Sequence, residues 1–192
     1  MASATGLTGA AGEYYVAAEL SRRDWLATVT IKNSPRADVL AQRPDGSRIV
    51  AIQTKTSSGN SFRLADKDER PESRDHEWYV LVALRGPLDR PSFYIVPRHV
   101  IAALAYLEHR EWLANTGRLH NFARGVRNEN PGRTIRALWV NGYLERWDLL
   151  DGSAYTAPYL GEAVFLELAD EIGLPDAYRR LRRTREVEKR LS

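Results

Sequence analysis

The chain has 192 residues, 43% of them hydrophobic and 28% charged, and 28 Lys and Arg against 25 Asp and Glu give a net charge of +3. That balance excludes collagen-like, low-complexity and wholly disordered classes, and the length favours one domain. With no cysteine in the chain, a disulfide-linked partner, a thiolate zinc site and an iron–sulfur cluster are ruled out.

No apolar run approaches the ~18 residues needed to cross a bilayer, so no membrane partner is expected. Residues 1–13 lack a basic stretch ahead of an apolar one and do not read as a signal peptide, which points to a cytoplasmic location. The pI of about 9.3 suggests nucleic acid, but the charge is uneven. Residues 176–192 hold seven Lys or Arg against Asp176, Glu186 and Glu188, a surplus of +4 that leaves −1 for residues 1–175. A basic end of this kind is either an accessory grip on nucleic acid or an ordinary solvated helix face.

Taken in chain order, residues 12–24 place Tyr15, Val16, Ala18 and Leu20 on a helical stripe, and 25–32 switch to β-branched alternation before Asn33-Ser34-Pro35 breaks the run. Residues 37–43 and 48–56 flank Pro44-Asp45-Gly46 and predict a β-hairpin. The polar, charged stretch 57–76 is too long for a tight connection and reads as a loop, either a mobile lid or a partner-binding segment. Residues 77–84 and 92–96 are short, aromatic and β-branched, as buried strands are. Pro97 then opens a helix carrying Val100, Ile101, Leu104, Leu107 and Trp112. Residues 115–134, rich in Gly, Asn and Arg, read as irregular, while 143–150 and 161–172 are further helix candidates. The pattern predicts an α/β mixed sheet flanked by helices over 1–140, with a helical C-terminal extension over 141–192 and the two forming one compact unit. Trp78, Trp112 and Trp139 lie in apolar patterns and are expected in the core.

Familiar catalytic signatures are missing. There is no Gly-x-Ser-x-Gly elbow, no Gly-x-Gly-x-x-Gly fingerprint and no His-Glu-x-x-His pair, and His76, His99, His109 and His120 show no ligand spacing. What stands out is polar chemistry inside strand patterns. Asp38 opens the first hairpin strand, and Gln53 and Lys55 lie two apart on the returning strand, which places them on one face. A lysine at the end of an apolar strand needs a counter-charge, and Asp38 is one candidate. Glu13 near the start of the first helix offers a second carboxylate at the same sheet edge. Two readings follow from the spacing: a plain Asp38–Lys55 salt bridge, or oxygen ligands for Mg²⁺ beside an ammonium, the chemistry of phosphodiester hydrolysis.

Gly12-Glu13 in a helix, Asp38 in a strand after Pro35, and Gln53-x-Lys55 on the next strand resemble the PD-(D/E)XK nuclease superfamily over roughly residues 9–100. The resemblance implies a restriction endonuclease-like fold and Mg²⁺-dependent hydrolysis of DNA, with Mn²⁺ as a substitute. It makes Asp38 the principal metal ligand, Gln53 the second, the Thr54 carbonyl a third, Glu13 a direct or water-mediated ligand and Lys55 the catalytic lysine. Gln53 stands where Asp or Glu is usual, and an amide brings no charge to the metal; the Mrr-like branch is similar in having Gln-x-Lys, and Holliday-junction resolvases share the fold. A homodimer would suit the cutting of both strands. The alternative is a catalytically inactive nuclease fold kept for DNA binding or protein interaction. For the DNA backbone, Arg118, Arg124, Arg127, Arg133 and Arg136 are the candidate contacts, unless they line a solvated loop.

Overall fold

A computed structural model describes residues 4–31, 37–115, 133–161, 169 and 172–178. Helix α1, Ala4–Ser21, begins eight residues ahead of the periodic stripe, and its first turns are mostly Ala, Gly and Thr, which present no apolar stripe to read. Val16 and Leu20, one turn apart, are its buried anchors. Asp24 ends the turn at φ 61°, a left-handed position that Asp tolerates better than most residues, and the Trp25 N–H returns to the Leu20 carbonyl.

Five strands form the main sheet: β1 Leu26–Val29, β2 Val39–Gln42, β3 Ile49–Ser57, β5 Glu77–Ala83 and β6 Ser92–Pro97, in the spatial order β1-β2-β3-β5-β6. All neighbours are antiparallel except β3 and β5, which are parallel. The expected β2–β3 hairpin is present: Gly46 takes φ 73°, its N–H reaches the Arg43 carbonyl, and Asp45 Oδ1 accepts from the Ser47 N–H and hydroxyl. β5 is buried along its whole length, and its apolar run from Trp78 to Ala83 is that of a strand covered on both faces.

Each face of the sheet has its own core. On one, α1 packs Val16 and Leu20 on Val50, Ile52, Trp78 and Val80. On the other, helix α2, Arg98–Asn115, packs Val100, Ile101, Leu104 and Leu107 on Tyr79, Leu81 and Val96, together with a small sheet of β4, Ser61–Leu64, and β7, Arg133–Arg136. Gly12 allows α1 to lie against Thr56, whose hydroxyl a Cβ at that position would overlap. Trp78 is fully buried and Trp139 is partly buried against the second core.

The structure corrects three expectations. The 57–76 stretch is not an irregular loop, since it contains β4 and a 3₁₀ turn, Asp66–Glu69. A parallel β3–β5 pair demands a crossover, and this segment supplies it, passing over the face that bears Gln53 and Lys55. The helix expected over 143–150 is instead two 3₁₀ segments, Ala137–Tyr143 and Trp147–Asp151, interrupted at Glu145 with φ 56°. Glu145 holds that bend by hydrogen bonds from Arg90 and from the Trp147 indole N–H, while Trp147 packs on Phe93. The end of the 115–134 stretch is also ordered as β7. Pro35, Arg118, Arg124, Arg127, most of the 161–172 helix and the basic end after Tyr178 lie outside the described residues. Among the described residues no helix is long and apolar enough to cross a membrane.

Candidate functional site

The site forms where β2 and β3 part company. Val39 is the last residue of β2 to pair, opposite Ile52, and the Asp38 N–H still donates to the Ile52 carbonyl at 2.8 Å. Beyond that point β2 no longer supplies backbone partners for β3. The Asp38 side chain takes over: its Oδ2 accepts the Thr54 N–H at 2.8 Å and the Gln53 amide Nε2. A carboxylate thus caps the open end of the ladder, and its other oxygen has no hydrogen-bond partner among the described residues. Strand backbone groups alternate between edges, so the Thr54 carbonyl lies on the same β2-facing edge as its N–H.

Asp38 is half-buried, and this burial pushes its carboxyl above the ordinary range. The Thr54 N–H, the Lys55 and Lys67 charges and the Gln53 amide act in the opposite sense without overcoming it. Gln53 is buried and lies on the same face as Lys55, as period-2 geometry predicted.

Lys55 does not pair with Asp38. Its Nζ lies 2.8 Å from Oδ2 of Asp68, a fully buried carboxylate on the 3₁₀ turn of the crossover. The same Oδ2 accepts the Ala65 N–H at 2.7 Å, and Oδ1 accepts the Tyr79 hydroxyl at 2.6 Å. Burial opposes ionisation of Asp68, but the Lys55 charge and these hydrogen bonds outweigh it and lower its pKa. Tyr79 is pushed well above its ordinary value by burial and by the Asp68 charge, so it stays a neutral donor. Its oxygen in turn accepts from Arg98 Nη1 at 3.2 Å. The plain Asp38–Lys55 salt bridge is therefore replaced by a Lys55–Asp68–Tyr79–Arg98 chain.

Glu13 follows Gly12 on α1, which covers the opposite face of β3 from Gln53 and Lys55. It is half-buried near the Thr56 end of that strand. Asp38, Gln53, Thr54 and Lys55 are thus brought together at one strand divergence, and Glu13 belongs to the layer behind them.

Sequence reasoning missed Asp68 and its partners. Asp68 was one of six acids in 57–77, and only its position three residues after Ala65, where it can accept the N–H at the start of a turn, set it apart. Arg133, expected at a nucleic-acid backbone, is instead buried and ion-paired to Asp66 and Glu69, with His109 alongside. Glu69 is held below its ordinary pKa because hydrogen bonds and charges from His109 and Arg133 outweigh its burial. This cluster fastens the crossover to β7 and α2. Arg136 remains exposed, its guanidinium over the Trp139 ring.

Between the crossover and α2 lies a cavity of about 320 Å³ lined by Gln53, Lys67, Asp68, Arg70, Glu72, Glu77, Tyr79 and Arg98. Among the described residues no group of three or more His, Asp or Glu is arranged to hold a metal ion. The donor set at the divergence is one carboxylate, one amide and one backbone carbonyl. That is sparse but all oxygen, which suits a hard cation that keeps several waters of its own.

Fold and site define a mixed α/β protein with an acid–amide–lysine constellation at the open end of a hairpin. Compared with protein-family models, with curated proteins and with solved structures, the chain matches none.

Proposed function

We propose that this chain is a Mg²⁺-dependent nuclease of the PD-(D/E)XK type, with a restriction endonuclease-like fold, hydrolysing phosphodiester bonds in DNA. One observation carries the reading: Asp38, Gln53 and Lys55, fifteen and two residues apart, meet at the point where β2 and β3 diverge. The order of strands around that point, an antiparallel hairpin whose second strand pairs in parallel with the next, agrees with it. A divalent cation bound there would polarise a phosphate and acidify a water.

Asp38 would hold the cation through the oxygen that has no hydrogen-bond partner among the described residues, with the Thr54 carbonyl on the same edge and the Gln53 amide oxygen as a neutral ligand. Cation binding would then favour the ionised form that burial disfavours in Asp38. Lys55, paired with Asp68, supplies an ammonium on the same face for a phosphate oxygen or for the attacking water. Asp68 acts through Lys55 and is a positioning residue.

The test is incubation of duplex, single-stranded and branched DNA, and of RNA, with Mg²⁺ or Mn²⁺, using wild type, Asp38→Asn and Lys55→Met. Metal-dependent cleavage reduced at least about a hundredfold in Asp38→Asn is expected; cleavage that survives this substitution sinks the assignment. A second reading, a non-catalytic nuclease fold that binds DNA, is favoured by the engagement of Lys55 with Asp68 and of the Gln53 amide donor with Asp38. It predicts salt-dependent DNA binding with no Mg²⁺ heat in calorimetry.

A further inference from the structure

The cavity beside Gln53 is walled by three cations and three acids, but their charges are not equally available. Asp68 is neutralised by Lys55 at 2.8 Å, and Glu77 by Arg98 at 3.4 Å. The Arg98 guanidinium is further committed to the Glu72 carbonyl at 3.0 Å, the Tyr79 hydroxyl at 3.2 Å and the Lys67 carbonyl at 3.4 Å. Lys67 and Arg70, both exposed on the crossover, have no ion pair and no side-chain hydrogen bond among the described residues. Against them stands one uncommitted acid, Glu72. The volume is at the lower end of small-ligand sites.

We propose that this cavity is the subsite for a backbone phosphate of a bound nucleic-acid strand, next to the phosphate at Asp38, with Lys67 and Arg70 as its contacts. Lys55 is withheld from it by Asp68. The proposal rests on the phosphodiester reading above, because Gln53 both borders the cavity and bonds Asp38, so that a strand with one phosphate at Asp38 carries its neighbour into the cavity. The net surplus of one positive charge suits a singly charged phosphodiester.

The experiment uses the full chain in EDTA, where no cleavage occurs, and reads binding of a fluorescein-labelled single strand and its duplex over a range of KCl concentrations. Lys67→Ala and Arg70→Ala are each expected to weaken binding about three- to tenfold and to flatten the log K against log salt slope by about 0.7 for the single strand or 0.9 for the duplex. Lys67→Arg should restore the slope, and Arg22→Ala, exposed in the turn that follows α1, should leave it unchanged. The chain has only four lysines, Lys32, Lys55, Lys67 and Lys189, so ¹³C-methyl-lysine spectra can follow each one. The Lys67 resonance should move on adding the oligonucleotide. Wild-type affinity and slope in Lys67→Ala, a stationary Lys67 resonance, or an equally tight response to inorganic phosphate alone would each overturn the subsite. Should wild type show no cleavage with Mg²⁺ while Lys67→Ala still flattens the slope in EDTA, the nuclease reading fails and the subsite stands. Cleavage by Lys67→Ala with unchanged KM overturns the subsite and leaves the nuclease reading intact.

Discussion

Replacing Asp68 by Ala strips three partners at once: the Lys55 ammonium, the Ala65 N–H and the Tyr79 hydroxyl. Asp68 is 0% exposed and the Lys55 side chain 17%, so the ammonium would be left nearly buried without a counter-charge. Breaking a buried pair from one side costs about 3–5 kcal/mol. The adjoining cavity admits water to part of the wound, which places the expected cost near the lower bound, at about 3 kcal/mol. For a chain of this size that lowers Tm by roughly 6–12 °C. Urea unfolding followed by tryptophan fluorescence measures it directly. The double variant Lys55→Met/Asp68→Leu should be less destabilised than either single variant, with a coupling of about 2 kcal/mol or more. The pH dependence has a definite sign. The folded pKa of Asp68 lies below its unfolded value of about 3.9. Between those two values the unfolded chain binds more protons, so stability rises with pH there. The contribution of Asp68 is present above about pH 4 and is lost as pH falls through the folded value. Asp68→Ala should flatten that acid limb. Additive single variants, or a cost below about 1 kcal/mol for Asp68→Ala, would refute the buried pair.

For Asp38 the sign is opposite. Its folded pKa is raised, so its contribution is greatest below about pH 3.9 and is lost as pH rises through the folded value. Both hydrogen bonds go to one oxygen, which an amide can also supply, so Asp38→Asn should be as stable as wild type at pH 7 or more stable by up to about 1 kcal/mol; clear destabilisation in urea would count against this geometry. Arg133→Ala should cost about 3 kcal/mol by leaving Glu69 and Asp66 unmatched. It should leave the salt slope of DNA binding unchanged at a temperature where the variant is folded, and a flatter slope would return Arg133 to the nucleic-acid surface.

Much of the sheet was legible because its signals are local. Pro44-Asp45-Gly46 sets a turn through Gly46, whatever packs around it. The near-continuous apolar run of β5 can only be a strand covered on both faces, and Pro97 both ends β6 and leads into α2. The expected helix over 143–150 failed for the opposite reason. Its apolar residues have helical spacing, but Trp147 and Leu150 point into one core and Tyr143 into the other, and the chain bends at Glu145 to reach both.

The same division runs through the site and through the charge. That Gln53 and Lys55 share a face follows from the period of a strand, and that Asp38 comes beside them follows from the register of a short hairpin; both are properties of neighbouring residues. Which acid answers Lys55 depends on where the crossover lies, and the position of Asp68 three residues after Ala65 does not decide it. Burial does: the tertiary fold sinks Asp68 beside Lys55 and Tyr79, leaves Lys67 and Arg70 in the open, and locks Arg133 into the interior. The count of charges is written in the sequence, whereas their pairing is a property of distance, and distance across the crossover exists only once the sheet and α2 have closed around it.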